Sequence, residues 1–258
     1  MITSRAANAR GSVAAGVLVV AVLTGCVASP KTTYVTDAGE TITVDWADYP
    51  GQSNIDSAQV LAAPATEDVE EASLQLLAEI ETALTEEFGL EWEVGPPSEA
   101  TWWEHDDNGY GGDSLYVGYL SLMRQSTTVP SGDAAWERIL DLINAVTEAH
   151  GLGKLELANL NPELLDYYKT TDLSKHWEWN GGTDAGAQSV TISLRDVDRD
   201  ATGEAEKQMS GAIKTGWNPR AVSIYYGATT IRAADRAEFI ERLKPFEGLT
   251  KPEGINSD

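Results

Sequence analysis

Apolar positions recur at two different spacings along this chain, and each spacing predicts its own kind of element. Val69, Ala72, Leu76, Leu77, Ile80, Ala83, Leu84 and Phe88 repeat at helical spacing and give one apolar face. Thr66 caps this helix, Glu67, Asp68, Glu70 and Glu71 lie where the helix dipole favours negative charge, and Gly89 ends it. Trp136, Ile139, Leu140, Ile143 and Val146 predict a second helix, capped by Asp133 and closed at His150-Gly151. A last helix over 233–246 turns Ala237, Phe239, Ile240 and Leu243 inward and is curtailed by Pro245, while 162–168 supplies one or two further turns.

Alternation predicts the strands. Residues 33–36 and 40–44 flank Asp37-Ala38-Gly39 as a β-hairpin, and 90–94, 101–105, 154–157 and the long run 114–124 read as strands. Residues 175–180 place Trp177 and Trp179 on one face, turn through 181–186, and return through Val190, Ile192 and Leu194. Residues 209–217 and 221–226 complete the set. The order of parts predicts an α+β fold, with helices packed on one side of a largely antiparallel sheet and an N-terminal hairpin and linker. Between residues 47 and 66 the pattern fades into a linker laid over the surface, and the last dozen residues read as frayed.

The first 25 residues carry a different message. Arg5 and Arg10 precede an apolar run over 11–23, broken only by Ser12, that is shorter than the roughly 20 residues a spanning helix needs. These are the proportions of a secretory signal peptide. Its end, Leu23-Thr24-Gly25-Cys26, resembles the lipobox of bacterial lipoproteins. That resemblance implies a diacylglyceryl group on the Cys26 thiol, cleavage before Cys26, and lipid anchoring at the extracytoplasmic face of the cell membrane. Two or three acyl chains hold a bilayer far more firmly than one, because each buried CH₂ contributes about 0.8 kcal/mol. The expected organisation is a signal peptide over 1–25, a tether, small hairpin and linker over 26–66, and an α+β domain over 67–258. Cys26 is the only cysteine, so the domain holds together without a disulfide.

Charge narrows the partners. The chain has 41 acidic against 18 basic residues, a net charge of −23, and loss of the leader removes two arginines and no acid. Nucleic-acid affinity rests on cationic contacts to phosphate, so nucleic acid is excluded as a partner. The same field repels anionic head groups, which leaves the acyl chains as the membrane contact.

No stretch predicts catalytic chemistry. Asp196, Asp198 and Asp200 alternate as calcium ligands do, but Ala201 and Lys207 stand where an EF-hand loop needs Gly and a bidentate Glu. Asp106, Asp107, Asn108 and Asp113 have the composition of any exposed turn, calcium being the sharper alternative. His105, His150 and His176 are too scattered to define a zinc site, and no nucleophile elbow, S-x-x-K pair or P-loop occurs. No metal or catalytic residue is nominated, and the one covalent group expected is the lipid on Cys26. The compositional oddity is eight tryptophans. Trp102 and Trp103 are adjacent and point to opposite faces of a strand, so one of them is exposed or lies under a loop. Exposed aromatics stack on sugar rings or anchor a partner, which makes Trp102, Trp103 and His105 the candidate binding residues.

The helix running into Phe88-Gly89-Leu90-Glu91-Trp92, the segment from Trp136 to Glu148-Ala149-His150-Gly151, the run His176-Trp177-Glu178-Trp179-Asn180-Gly181 and Lys214-Thr215-Gly216-Trp217 together resemble the LppA-like lipoproteins of actinobacteria, over roughly residues 70–218. The cysteine pair that members often carry is absent. The resemblance implies a compact α+β domain on the cell surface and supplies no catalytic residues. The expectation is therefore a non-catalytic binding or scaffold module whose partner is an envelope protein or cell-wall glycan. The alternative is a surface hydrolase acting on glycan or peptide.

Overall fold

The computed structural model describes residues 28–36, 38–200 and 202–255, so the leader and Cys26 lie outside the described residues. In chain order the elements are β1 (Lys31–Val35), β2 (Thr41–Asp45), α1 (Ser57–Ala62), α2 (Val69–Phe88), β3 (Trp92–Gly95), β4 (Thr101–Glu104), β5 (Val117–Leu120), β6 (Met123–Ser126), α3 (Asp133–Ala149), β7 (Glu156–Leu157), α4 (Leu165–Tyr168), β8 (Glu178–Gly182), β9 (Gln188–Asp196), α5 (Glu204–Lys214), β10 (Arg220–Thr230) and α6 (Arg236–Leu243). The fold is α+β. Strands β1 and β2 form a separate hairpin, and the other eight form one sheet whose pairings are all antiparallel.

Strand β10 is the spine of the sheet. One of its edges pairs with β9 from Arg220 to Ala228, and β8 and β7 follow outward. The other edge pairs with β5 and β6 in succession, with β4 beyond β5 and β3 beyond β6. The single strand expected over 114–124 is thus two. The break is at Ser121, whose amide donates to Tyr226 O and whose hydroxyl accepts from Tyr226 N, taking over the ladder for one residue.

Helices α2 and α3 lie together over one face. Leu76, Leu77, Ile80 and Leu84 meet Trp136, Ile139 and Ile143 above Val190, Ile192, Leu194, Val222, Ile224 and Tyr226, and all are buried. Trp179 joins this core edge-on to Trp136, with ring centroids 5.1 Å apart. Gly89 terminates α2 in the left-handed conformation, φ 67°, where a Cβ would be strained. Thr66 does not cap α2, which begins three residues later; its hydroxyl bonds that of Thr230 instead. Asp133 is the first residue of α3, and its carboxylate pairs with Arg199, whose guanidinium lies 4.1 Å from the Trp136 ring centroid.

Four expectations are corrected, the first two by packing between distant parts of the chain. The surface linker over 47–66 is not one: Tyr49, Val60, Ala63 and Ala65 are buried and α1 forms within it. Trp46, Tyr49, Tyr110 and Phe246 make an aromatic cluster with centroids 5.0 to 6.2 Å apart, beneath the β1–β2 hairpin. Nor is the C-terminal stretch frayed as far as residue 255. Lys251 Nζ donates to Gln52 O and Ile55 O, Tyr110 Oη donates to Pro252 O, and Ile255 N donates to Gly109 O. Residues 209–217, expected as a strand, are mostly helix α5. Its buried Ala205 and Met209 are four residues apart, the spacing of one helix face. In α6, Phe239 is buried as expected, while Ala237 and Ile240 face solvent.

Candidate functional site

Strand alternation puts a second set of side chains on the face that α2 and α3 leave uncovered. Register arranges them in rows across the sheet, about 7 Å apart along the strands. Trp103, Gly118 and Thr229 form the first row, then Thr101, Leu120, Gly227 and Ser189. The third row is Tyr225, Thr191, Gly182 and Glu156, and the fourth is Glu93, Gln125, Ser223, Ser193 and Asn180. Ala221, Arg195 and Glu178 close the face. The second and third rows are half-buried or exposed throughout, so the middle of the face is open.

Trp103 lies flat on the sheet at one end. A Cβ built on Gly118 would fall 2.0 Å from its ring, so the indole rests directly on the glycine backbone. It remains 43% exposed, and its edge meets the His105 ring at 5.9 Å. His105 Nδ1 lies 2.9 Å from Gln52 Nε2, which also donates to Asp107 O. Trp103 and His105 are therefore brought together. Trp102 is not with them: it points to the helix-covered side and packs on Tyr119, with centroids 4.4 Å apart. Alternation within β4 made the divergence of the two tryptophans legible, but nothing in the sequence told which of them faces the uncovered side.

The other end is polar and enclosed. Gly216 and Trp217, in the turn after α5, fold over it. Arg195 is buried, its guanidinium 4.6 Å from the Trp217 ring centroid, and it donates to Ser223 Oγ at 2.6 Å. Glu178 Oε1 is 3.8 Å away and accepts from Ser193 Oγ at 2.8 Å. Burial lowers the Arg195 pKa from its ordinary value, and the Glu178 charge opposes the shift. Gln125 bridges this end, donating to Glu93 and to Gly216 O and accepting from Asn218 N. Sequence reading missed Arg195, Gln125 and Trp217, because they meet only when β6, β9 and the α5 turn come together.

The acidic loops are engaged with the protein itself. Asp196 and Asp200 accept backbone amides, and Asp198 pairs with Arg220 at 2.6 Å. Asn108 is a buried hub: its amide donates to Trp46 O, Ala47 O and Tyr49 O, and its carbonyl accepts from Tyr110 N and Gly112 N. Among the described residues no group of three or more His, Cys, Asp or Glu could hold a metal ion. His150 stands at the end of α3 and pairs with Glu79 at 2.9 Å, while His176 is buried beside Asn159.

A hollow of about 990 Å³ continues the face at the β7 edge, where Leu140, Leu155, Leu157 and Leu160 meet Glu156, Asn180 and Thr191. It is an open groove with no convergence of titratable groups. The chain matches no family model, no curated protein and no solved structure.

Proposed function

We propose that this chain is a non-catalytic binding module, held by acyl chains on Cys26 at the extracytoplasmic face of a bacterial membrane, and that its ligand is uncharged glycan bound on the uncovered sheet face. The observation that carries the ligand is Trp103, a flat and half-open indole seated on Gly118. A sugar presents an apolar face to such a ring and hydroxyls to its rim. The rows beside Trp103 offer Thr101, Ser189, Thr191, Tyr225 and Asn180 for those hydroxyls. Glu93, Glu156 and Glu178 share the face with one cation, the buried Arg195, so an anionic ligand is disfavoured.

The leader and Leu23-Thr24-Gly25-Cys26 support the anchor, and so does the likeness to LppA-like lipoproteins in the motifs quoted above. Among the described residues no helix is long and apolar enough to cross a membrane.

Titration with soluble neutral oligosaccharides, followed by tryptophan fluorescence, tests the ligand. Trp103→Ala weakens binding at least about tenfold, as loss of a central aromatic anchor does, while Trp102→Ala leaves it intact. Equal affinity of the two variants overturns the reading. For the anchor, Cys26→Ala abolishes metabolic lipid labelling and leaves unprocessed precursor; a normally labelled variant refutes it.

A further inference from the structure

We infer, resting on the glycan reading above, that the ligand is an extended linear chain of about five or more sugars, because Trp217 is a second aromatic platform at the end of the uncovered face opposite Trp103. Register sets the interval between the two indoles. Trp103 rests on Gly118, which lies beside Thr229, and Trp217 packs on Arg195, which lies beside Ala221. Thr229 and Ala221 are eight positions apart on the same strand, β10. At about 3.3 Å per residue the platforms are separated by roughly 25 Å, which an extended chain of about five pyranose rings spans.

The chain holds Trp217 in place before any ligand arrives. It follows Gly216, whose φ of 97° is a value that glycine adopts without strain. Trp217 N donates to Ala212 O, and Gly216 O accepts from Gln125 Nε2 at 3.0 Å. Asn218 N donates to Gln125 Oε1, and the Asn218 side chain donates to Ser126 O and Thr127 O. The turn is thereby tied to β6, and a contact fixed in advance loses less freedom on binding. Beneath the ring lies Arg195, 2% exposed, with its guanidinium 4.6 Å from the ring centroid. Arg195 Nη2 donates to Ser223 Oγ, but Nε has no hydrogen-bond partner, so the indole face is a principal neighbour of this buried cation.

Covering Arg195 accounts for one side of the indole and leaves its N–H unexplained. The buried tryptophans Trp46, Trp136 and Trp179 each donate Nε1 to an acceptor of the chain, as a buried indole must. Trp217 is only half-buried, and among the described residues its Nε1 donates to none and is open to solvent. It therefore offers a ligand what Trp103 offers, a ring to stack on, with a donor at the rim. Between the two platforms the second and third rows stay open and carry Ser189, Thr191 and Tyr225, so sugar hydroxyls meet hydrogen-bonding side chains along the interval. A ligand of one or two sugars would occupy one platform and leave the other bare.

Two contacts on one chain reinforce each other, because the first holds the second at high effective concentration. Calorimetric titration of the full chain compares the disaccharide and the hexasaccharide of β-1,4-linked glucose, and the same pair of β-1,4-linked N-acetylglucosamine. In a series that binds, the hexasaccharide is expected to bind at least about tenfold more tightly than the disaccharide, beyond the roughly threefold that six equivalent rings against two give by statistics. Trp217→Ala removes that advantage and leaves disaccharide binding at Trp103 unchanged, which also reports that the fold survives. Trp217→Leu, which keeps an apolar cover over Arg195 without a ring, does the same. A hexasaccharide that binds no better than statistics allow, or whose advantage persists in both Trp217 variants, overturns the two-platform inference and leaves the glycan reading standing. Binding of none of the four sugars overturns the glycan reading and this inference with it.

Discussion

The two faces of the eight-stranded sheet solve opposite problems. The covered face is closed by aliphatic and aromatic side chains from α2 and α3, with Ile80, Leu84, Trp136, Ile139, Val190 and Leu194 fully shielded from water. The uncovered face carries glycines at Gly118, Gly182 and Gly227, hydroxyls, and one buried cation, with an indole lying on it at each end. Large side chains fill the first and a lack of side chains shapes the second. Removing atoms should therefore damage the covered face, and adding them should damage the uncovered one.

The largest effect belongs to the covered face. Trp136→Ala removes a fully buried indole that meets Trp179 edge-on and carries the Arg199 guanidinium over its ring. It costs about 3–5 kcal/mol of stability, measured by urea unfolding. A loss below about 1 kcal/mol would mean that α3 contributes far less to the core than its burial implies.

Alkaline pH probes the same contrast. Burial raises the pKa of Tyr119 and Tyr226 beneath α2, of Tyr116, and of Tyr110, the last pushed up to about 12. A phenol with a raised folded pKa contributes stability that is complete below the unfolded value of about 10 and is lost as pH climbs through the folded value. Stability should hold to about pH 10 and fall steeply toward pH 12, with phenolate absorbance and loss of helical circular dichroism coinciding. Phenolate appearing well before unfolding would show that these hydroxyls are reached by water in the native state.

The smallest change is the most discriminating. Gly118→Ala puts a methyl where the Trp103 ring rests and forces the indole off the sheet. Overpacking costs about 1–3 kcal/mol, and the low end applies because Trp103 can swing into solvent. Oligosaccharide binding should fall as far as in Trp103→Ala while the fold persists. Retained binding would separate the ligand from the platform.

Local pattern carried the elements, and long-range contact carried the site. The spacing of Leu76, Ile80 and Leu84, and of Trp136, Ile139 and Ile143, placed α2 and α3 correctly, because helix periodicity is a property of neighbours. Val190, Ile192 and Leu194 did the same for β9. The segment over 47–66 deceived because its buried residues, Tyr49 and Val60, are satisfied by Tyr110, Phe246 and Phe239, far along the chain. In α5, Gly211 and a mostly exposed surface hid the helix, whose buried face among the described residues is only Ala205 and Met209. Trp103 was legible as a candidate and Trp102 equally so; only the pairing of β4 with β5 distinguishes them.

The aromatic cluster beneath the hairpin determines how the protein bears load. Both ends of the described chain enter it: β1 through the Tyr34 hydroxyl on Pro245 O, and the C-terminal stretch through Phe246 and Pro252. A pull applied at residue 28 is therefore borne first by the β1–β2 ladder and then by the ring contacts of Trp46 with Tyr110 and Phe246, before any ladder of the main sheet. The hairpin acts as a shock absorber, yielding before the eight strands feel tension.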